Sequence, residues 1–384
     1  MGSLYRLINV IRRLPVAVMA VMACVSCSKN TPDPIQPLSV NFRMSVPVDA
    51  SAAGGPEYNG EQTWGDKYNE ENALPAENRI LWDDFYVTFF SAQDGTYIGH
   101  LENLRCVNLL PGINVATYEC KGELTTTGKI EVEELVQKLK EAGTVKTLVT
   151  ANVADLQQEL FLEGIGTLDA GLGSVEYPCK GTFDKAFPAI PMWGVTSGGD
   201  FSELTPGATL DLGKVTLLRS VAKVEVLVSE ELQQTSGNTV ELGSVSISRM
   251  NTTGYVLPGN WSNIDKTENL KFSETLRIPE KVESVKETTF NVQDDGRVLF
   301  YLPECNNAPG DDEIILTVNY TVEEEEREGK IHICNYDNGI PDTANLWNVV
   351  RNHLYRYIIT NTGEIQFKVE VHPWNEVEIP EIMM

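Results

Sequence analysis

From Leu38 the chain alternates without a break. Leu38, Val40, Phe42, Met44, Val46 and Val48 fall on one face, and Ser39, Asn41, Arg43, Ser45 and Pro47 on the other. Period two is the spacing of a half-buried strand, and Pro47 suits a strand end or an edge. Residues 49–78 are rich in Gly, Asn, Glu and Ala, and an irregular connection of that length in a compact domain is often functional. Strand patterns return over 80–91, 96–100 and 114–118, with Gln93-Asp94-Gly95 as a turn. Val132, Leu135, Val136 and Leu139 instead recur at i, i+3, i+4 and i+7, which predicts a helix that Gly143 ends. A buried strand over 145–153 and a second short helix over 154–162 follow.

The segment 194–207 has the composition of a linker. Beyond it strands are predicted over 209–218, 222–228, 242–250, 287–292 and 297–302. The runs 314–322 and 330–334 read as a hairpin closed by a solvated tip, Glu323-Glu324-Glu325-Glu326-Arg327-Glu328. A strand over 354–360 and an alternating strand from Ile365 to Val371 end at His372-Pro373-Trp374. Many short strands between turns define an all-β chain. The expected architecture is two tandem β-sandwich domains, over 38–200 and 208–384, with one or two short helices in the first.

The first residues read as an address. Arg6, Arg12 and Arg13 precede an apolar run over 14–25, and small residues surround Cys24 and Cys27. This is the layout of a secretory signal, and the run is shorter than the roughly 20 residues that span a bilayer. A cysteine at its end matches a bacterial lipoprotein signal. Cys27 is the expected lipidation site, because a polar, Pro-rich tether over 27–37 starts there; Cys24 is the alternative register. Residues 1–26 are then the signal peptide.

Charge and missing motifs narrow the function. With 30 Lys+Arg against 55 Asp+Glu, the net charge of −25 argues against nucleic acid as a partner and against a basic patch on anionic lipid. The four histidines, His100, His332, His353 and His372, show no metal-ligand spacing, so no metal or other cofactor is expected. No nucleophile elbow, metalloprotease helix motif, P-loop or Cys-His pairing is present, and Gly164-Ile165-Gly166 lacks the rest of a nucleotide loop. The chain is therefore not expected to be an enzyme. A cleft with paired carboxylates is what an enzyme reading would need. Cys106, Cys120, Cys179, Cys305 and Cys334 follow Cys27; an odd number leaves at least one thiol unpaired within the chain. Export permits disulfides, and Cys305 with Cys334 would suit neighbouring strands, but buried thiols are expected for most of the five. Three N-glycosylation sequons begin at Asn251, Asn260 and Asn319, and Asp342-Thr343-Ala344 fits a short bacterial O-glycosylation signal.

Several of these features occur together in one family. Cys27-Ser28-Lys29 precedes an isolated alternating strand. LVTANV (148–153) and Pro191-Met192-Trp193-Gly194 come before RSVAKV (219–224). The chain closes with VRNHLY (350–355) and VEVHPW (369–374). In this order they resemble the fimbrillins, lipoprotein pilins of the Bacteroidales type, over essentially the whole exported chain.

The resemblance implies that both sandwiches are transthyretin-like. It also implies a lipid-anchored precursor at the outer membrane, cut after its first strand by an Arg- or Lys-specific protease. The strand then leaves, and one from a neighbouring fimbrial subunit fills the slot by β-augmentation. Here the displaced strand would be Leu38, Val40, Phe42, Met44, Val46 and Val48, and the cut would fall at Arg79, with Lys67 as the alternative. Burying six such side chains is worth roughly 9–18 kcal/mol, comparable with a domain's net stability of about 5–15 kcal/mol. The expected donor tail carries Val377, Ile379 and Ile382, interrupted by Pro380, a shorter apolar set than the strand it would replace. A second reading is a surface lipoprotein that binds host proteins or glycans, with Trp64 or Trp261 stacking on sugars. A third is a non-polymerising anchor or tip component.

Overall fold

The computed structural model describes residues 38–47, 79–111, 115–126, 130–153, 171–185, 187–198, 201, 203–234, 240–267, 284–310, 312–337, 340–361 and 366–373. The chain is all-β, built as two sandwiches in tandem. The first comprises β1 (Leu38–Pro47), β2 (Phe85–Ser91), β3 (Tyr97–Pro111), β4 (Val115–Thr125), the helix α1 (Val132–Ala142), β5 (Val145–Ala151), β6 (Glu176–Pro178), β7 (Met192–Gly198), β8 (Thr209–Thr216) and β9 (Leu218–Arg219). The second comprises β10 (Val221–Val228), the short helix α2 (Glu230–Gln234), β11 (Val240–Asn251), β12 (Thr253–Tyr255), β13 (Ser284–Asn291), β14 (Val298–Pro303), β15 (Ile315–Val322), β16 (Glu325–His332), β17 (Cys334–Asp337), β18 (Ile340–Leu346), β19 (His353–Asn361) and β20 (Gln366–Pro373).

In the first half one hydrogen-bonded sheet runs β8-β1-β4-β3-β2-β5-β7-β9. The long strand β3 pairs with β2 near its start and with β4 over the rest, with register shifts between. Such shifts bend a strand, and β1 and β2 consequently face one core containing Leu38, Val40, Phe42, Met44, Phe85, Val87 and Phe89. Leu135, Val136 and Leu139 of α1 join that core, as their helical spacing predicts. The second half has two four-stranded sheets, β14-β10-β19-β20 and β13-β11-β15-β16, with β17-β18 as a separate pair; the two larger sheets pack over Val224, Val226, Val245, Phe300, Val318 and Tyr357.

The halves share a wiring plan. β4-β1-β8 corresponds to β14-β10-β19, and β3-β2-β5-β7 to β13-β11-β15-β16. In each, the opening strand lies antiparallel to one neighbour and parallel to a late strand. The second half adds β20 beyond β19.

Four expectations are corrected. The segment 194–207, taken as a linker, begins inside β7, and its Val195 and Thr196 are buried. Its Gly194 reflects crowding, since a Cβ there would sit 2.6 Å from the Thr216 carbonyl oxygen. The strand at 209–216, expected to open the second domain, instead pairs with β1 in the first sheet. Only Glu323 and Glu324 turn the acidic hairpin, both at positive φ, while Glu325–His332 is strand. Cross-strand partners extend that ladder to Glu325, which a charge pattern does not reveal. Finally, the Cys305–Cys334 bridge does not form: both are buried thiols, as is Cys179, in keeping with the expectation for most of the five, and Cys106 pairs with Cys120 across β3 and β4. The second predicted helix, over 154–162, lies outside the described residues.

A third apolar cluster joins the halves. Tyr86, Phe90, Leu148 and Trp193, from the outer face of β2, β5 and β7, meet Val256, Leu257, Trp261 and Tyr301. This explains why every residue of β2 and β5 is buried: both faces of these strands are covered. β6 pairs with β12 across the same junction.

Candidate functional site: the first strand and its entrance

β1 lies between two strands. It is antiparallel to β4 from Leu38↔Leu124 to Pro47↔Val115 and parallel to β8 from Ser39↔Thr209 to Ser45↔Thr216. Leu38, Val40, Phe42 and Met44 are at most 1% exposed, while Arg43 on the opposite face is exposed. These four side chains account for roughly 6–12 kcal/mol of apolar burial. Phe42 sits opposite Cys120, so the Cys106–Cys120 disulfide ties β4, one wall of the slot, to β3 behind it. At the far end Ser45 Oγ and Thr216 Oγ1 lie 3.2 Å apart, and the Ser45 carbonyl accepts the Leu217 N–H at 2.9 Å. Val46 is in the strand, its side chain outside the described residues; Val48 lies outside them altogether.

Arg79 stands at the entrance to the other half of the sheet. The Asn152 side chain grips the bonds on either side of Ile80. Its Oδ1 accepts the Leu81 N–H at 2.7 Å, and its Nδ2 donates to the carbonyls of Arg79 and Ile190, both at 2.7 Å. Asn152 is 2% exposed and Ile80 fully buried. Asn152 directly follows β5 with φ 61°, a left-handed conformation that Asn tolerates better than most residues. The Asn152 N–H also reaches the Asp84 carbonyl at 2.9 Å, so the end of β5 holds the start of β2. The Arg79 Nε is buried without a hydrogen-bond partner. The periodicity of residues 145–153 marked a strand and took Asn152 into it, whereas β5 ends at Ala151; nothing in the sequence set Asn152 apart.

The remaining motif residues meet at the junction. Arg351 and Glu304 form an ion pair at 2.6 Å with both side chains 2% exposed. The Arg351 guanidinium also donates to the carbonyls of Val256 at 2.8 Å and Tyr255 at 3.0 Å. Asn352 Oδ1 accepts the Arg219 N–H at 3.0 Å, and the Asn352 N–H reaches the Val221 carbonyl at 2.7 Å. Ser220 Oγ donates to the Val256 carbonyl, and Tyr177 donates to the Ser220 carbonyl, both at 2.7 Å. RSVAKV and VRNHLY thus touch each other and fasten one sandwich to the next.

The other expected chemistry is placed as follows. Trp261 is 1% exposed inside the third cluster, so it offers no face to a sugar. Asn251 is buried, with its Nδ2 bonded to the Glu304 carbonyl, which removes it as a glycosylation acceptor. Burial pushes the Cys179 and Cys305 thiols up to about 12. Among the described residues no group of His, Cys, Asp and Glu is arranged to hold a metal ion, and no helix is long and apolar enough to cross a membrane. Cys24, Cys27, Trp64, Lys67, Val377, Ile379 and Ile382 lie outside the described residues.

No family model matches the sequence, and no curated protein does. Solved structures similar to the chain include the tip fimbrial protein Mfa3 from Porphyromonas gingivalis with a C-terminal truncation. It is 14% identical with a TM-score of 0.49, and the match covers 87% of this chain and 100% of that one. The fimbrial anchor protein Mfa2 from Porphyromonas gingivalis is 12% identical with a TM-score of 0.32, over 88% of this chain and 98% of that one. The sandwich architecture itself is read from the sheets of this chain.

Proposed function

We propose that the chain is a structural subunit of a cell-surface fimbria, exported as a lipoprotein through Cys27 and assembled by strand exchange. Its work is adhesion rather than catalysis, and its partners are other subunits of the same fibre. The observation that carries this reading is β1. It is an alternating strand with one apolar face, seated between β4 and β8, with four side chains at most 1% exposed. It is joined to the rest of the fold by a connection that ends at Arg79. If the strand is withdrawn after a cut at Arg79, an apolar slot opens in water, and a strand of similar pattern from a neighbouring subunit is driven in. The tail bearing Val377, Ile379 and Ile382 is the donor in this scheme.

Limited digestion of the folded precursor with an Arg-specific protease, followed by electrophoresis without heating, tests it. A cut at Arg79 that yields a ladder of multimers is the expected result; a cut at Arg79 that leaves monomers sinks it.

A second reading is a non-polymerising anchor or tip component in which β1 stays. The Asn152 hydrogen bonds favour it, because they hold the peptide bond that would have to be cut.

A further inference from the structure

Resting on the strand-exchange reading, we infer that Asn152 is the latch that sets when the Arg79–Ile80 bond is cut. Four observations carry this. The Asn152 Nδ2 donates to the carbonyl of the scissile bond itself, and its Oδ1 holds the next N–H along, at Leu81. A second donation, to the Ile190 carbonyl, anchors the amide to the segment leading into β7. The Ile80 side chain, which would follow the cut, is fully buried. The Arg79 side chain, which a protease must draw into its own pocket, has its Nε buried without a partner.

A protease needs several residues of extended chain, with the scissile carbonyl free to enter its oxyanion hole. With the latch closed, the second condition is not met at Arg79, whose carbonyl is already taken by Asn152. Cleavage then proceeds only from the locally opened state, and its rate follows the population of that state. The hold that Asn152 supplies is on the backbone, and the buried Arg79 Nε adds no hydrogen bond to it. After the cut, the Asn152 Oδ1 still holds Leu81, so the new chain end stays beside β2 while β1 departs. A latch of this kind keeps the slot filled until export and delivery to the protease are complete.

The test compares wild type with Asn152→Gly and Asn152→Asp. Glycine keeps the left-handed backbone and removes the whole amide; aspartate keeps the acceptor for Leu81 and loses both donations. Folding of each is verified by circular dichroism, and cleavage at Arg79 by an Arg-specific protease is timed by mass spectrometry. The rate is expected to rise about tenfold or more for Asn152→Gly, with a smaller rise for Asn152→Asp. In wild type the rate should equal the opening measured by amide exchange at Leu81 times the rate on the opened chain, which needs no variant. Equal cleavage at Arg79 in wild type and both variants overturns the latch and leaves strand exchange standing. Failure to cut Arg79 in Asn152→Gly, with Leu81 shown to exchange freely, overturns processing at Arg79 and the latch with it. Faster cutting without multimers supports the latch and counts against strand exchange.

Discussion

Arg351 and Glu304, 47 residues apart in the chain, form an ion pair at 2.6 Å inside the joint between the two sandwiches. Removing one partner of a buried pair leaves the other charge without compensation, at a cost of about 3–5 kcal/mol. Arg351→Met should therefore lower the stability of the whole chain by that amount, measured by denaturant unfolding. Because Arg351 also donates to carbonyls of residues 255–257, beside the β6–β12 pairing that crosses the junction, the substitution should loosen that joint as well. A single unshifted transition would show that the pair does not fasten the joint.

Phe42 tests the slot directly. It is 1% exposed and opposite Cys120, so Phe42→Ala should cost about 3–5 kcal/mol. Arg43→Ala, on the exposed face of the same strand, should stay within about 0.5 kcal/mol. Comparable losses at both positions would mean that β1 is held by its backbone ladders rather than its apolar face.

The disulfide should matter because it closes the β3–β4 pair next to β1. Replacing Cys106 and Cys120 with Ser is expected to lower stability by about 3 kcal/mol for a loop of this size. Denaturation of the wild type with and without reductant should show the same difference.

High pH should weaken the fold. Burial raises the Cys179 and Cys305 thiols from 9.0 to about 12, and pushes the hydroxyls of Tyr177, Tyr355 and Tyr357 up as well. Above the unfolded value the unfolded chain loses protons that the folded chain keeps. This contribution is therefore complete below about pH 9 and declines as pH rises toward 12. Denaturant midpoints at pH 8 and pH 10.5 should show the fall, and none of these thiols should react with a disulfide reagent in the folded protein at pH 8.

The hairpin tip of β15 and β16 is strained. Glu323 and Glu324 have φ of 51° and 71°, and a left-handed conformation costs a residue with a Cβ roughly 1–2 kcal/mol. Replacing the pair with Asn-Gly, the residues suited to a two-residue turn, should raise the unfolding free energy by about 1 kcal/mol, read as a higher denaturant midpoint at unchanged slope.

The strands with strict alternation or long apolar runs were legible in the sequence because burial on one or both faces leaves a period. β1, β2, β5, β10 and β15 all fall in predicted runs, and α1 was marked by its helical spacing. β7 was not legible, because Trp193-Gly194 answers to crowding against Thr216 and Leu217 rather than to a period. β6, β12, β17 and β18 are too short or too exposed to carry a pattern. The order of strands in the sheets has no signature in side chains at all, so the membership of β8 and the shared wiring of the halves stayed hidden. At the candidate site the apolar face of β1 could be read in advance. The latch could not, since one Asn after a strand is a common occurrence and its partners are 71, 73 and 38 residues away. The short segments that carried the fimbrillin resemblance proved to contain Asn152, Arg219, Asn352 and Arg351, which act in the latch and the joint.

The placement of β1 has a mechanical consequence. A strand at a sheet edge peels away one bond at a time, but β1 is hydrogen-bonded along both sides, to β4 and β8. Tension applied along its axis loads both ladders in shear at once, so the bonds must fail together. Any strand of matching length seated in that position inherits the same resistance to traction. A series of subunits linked in this way would carry a pulling load through its backbone ladders, while remaining unable to assemble until the resident strand had gone.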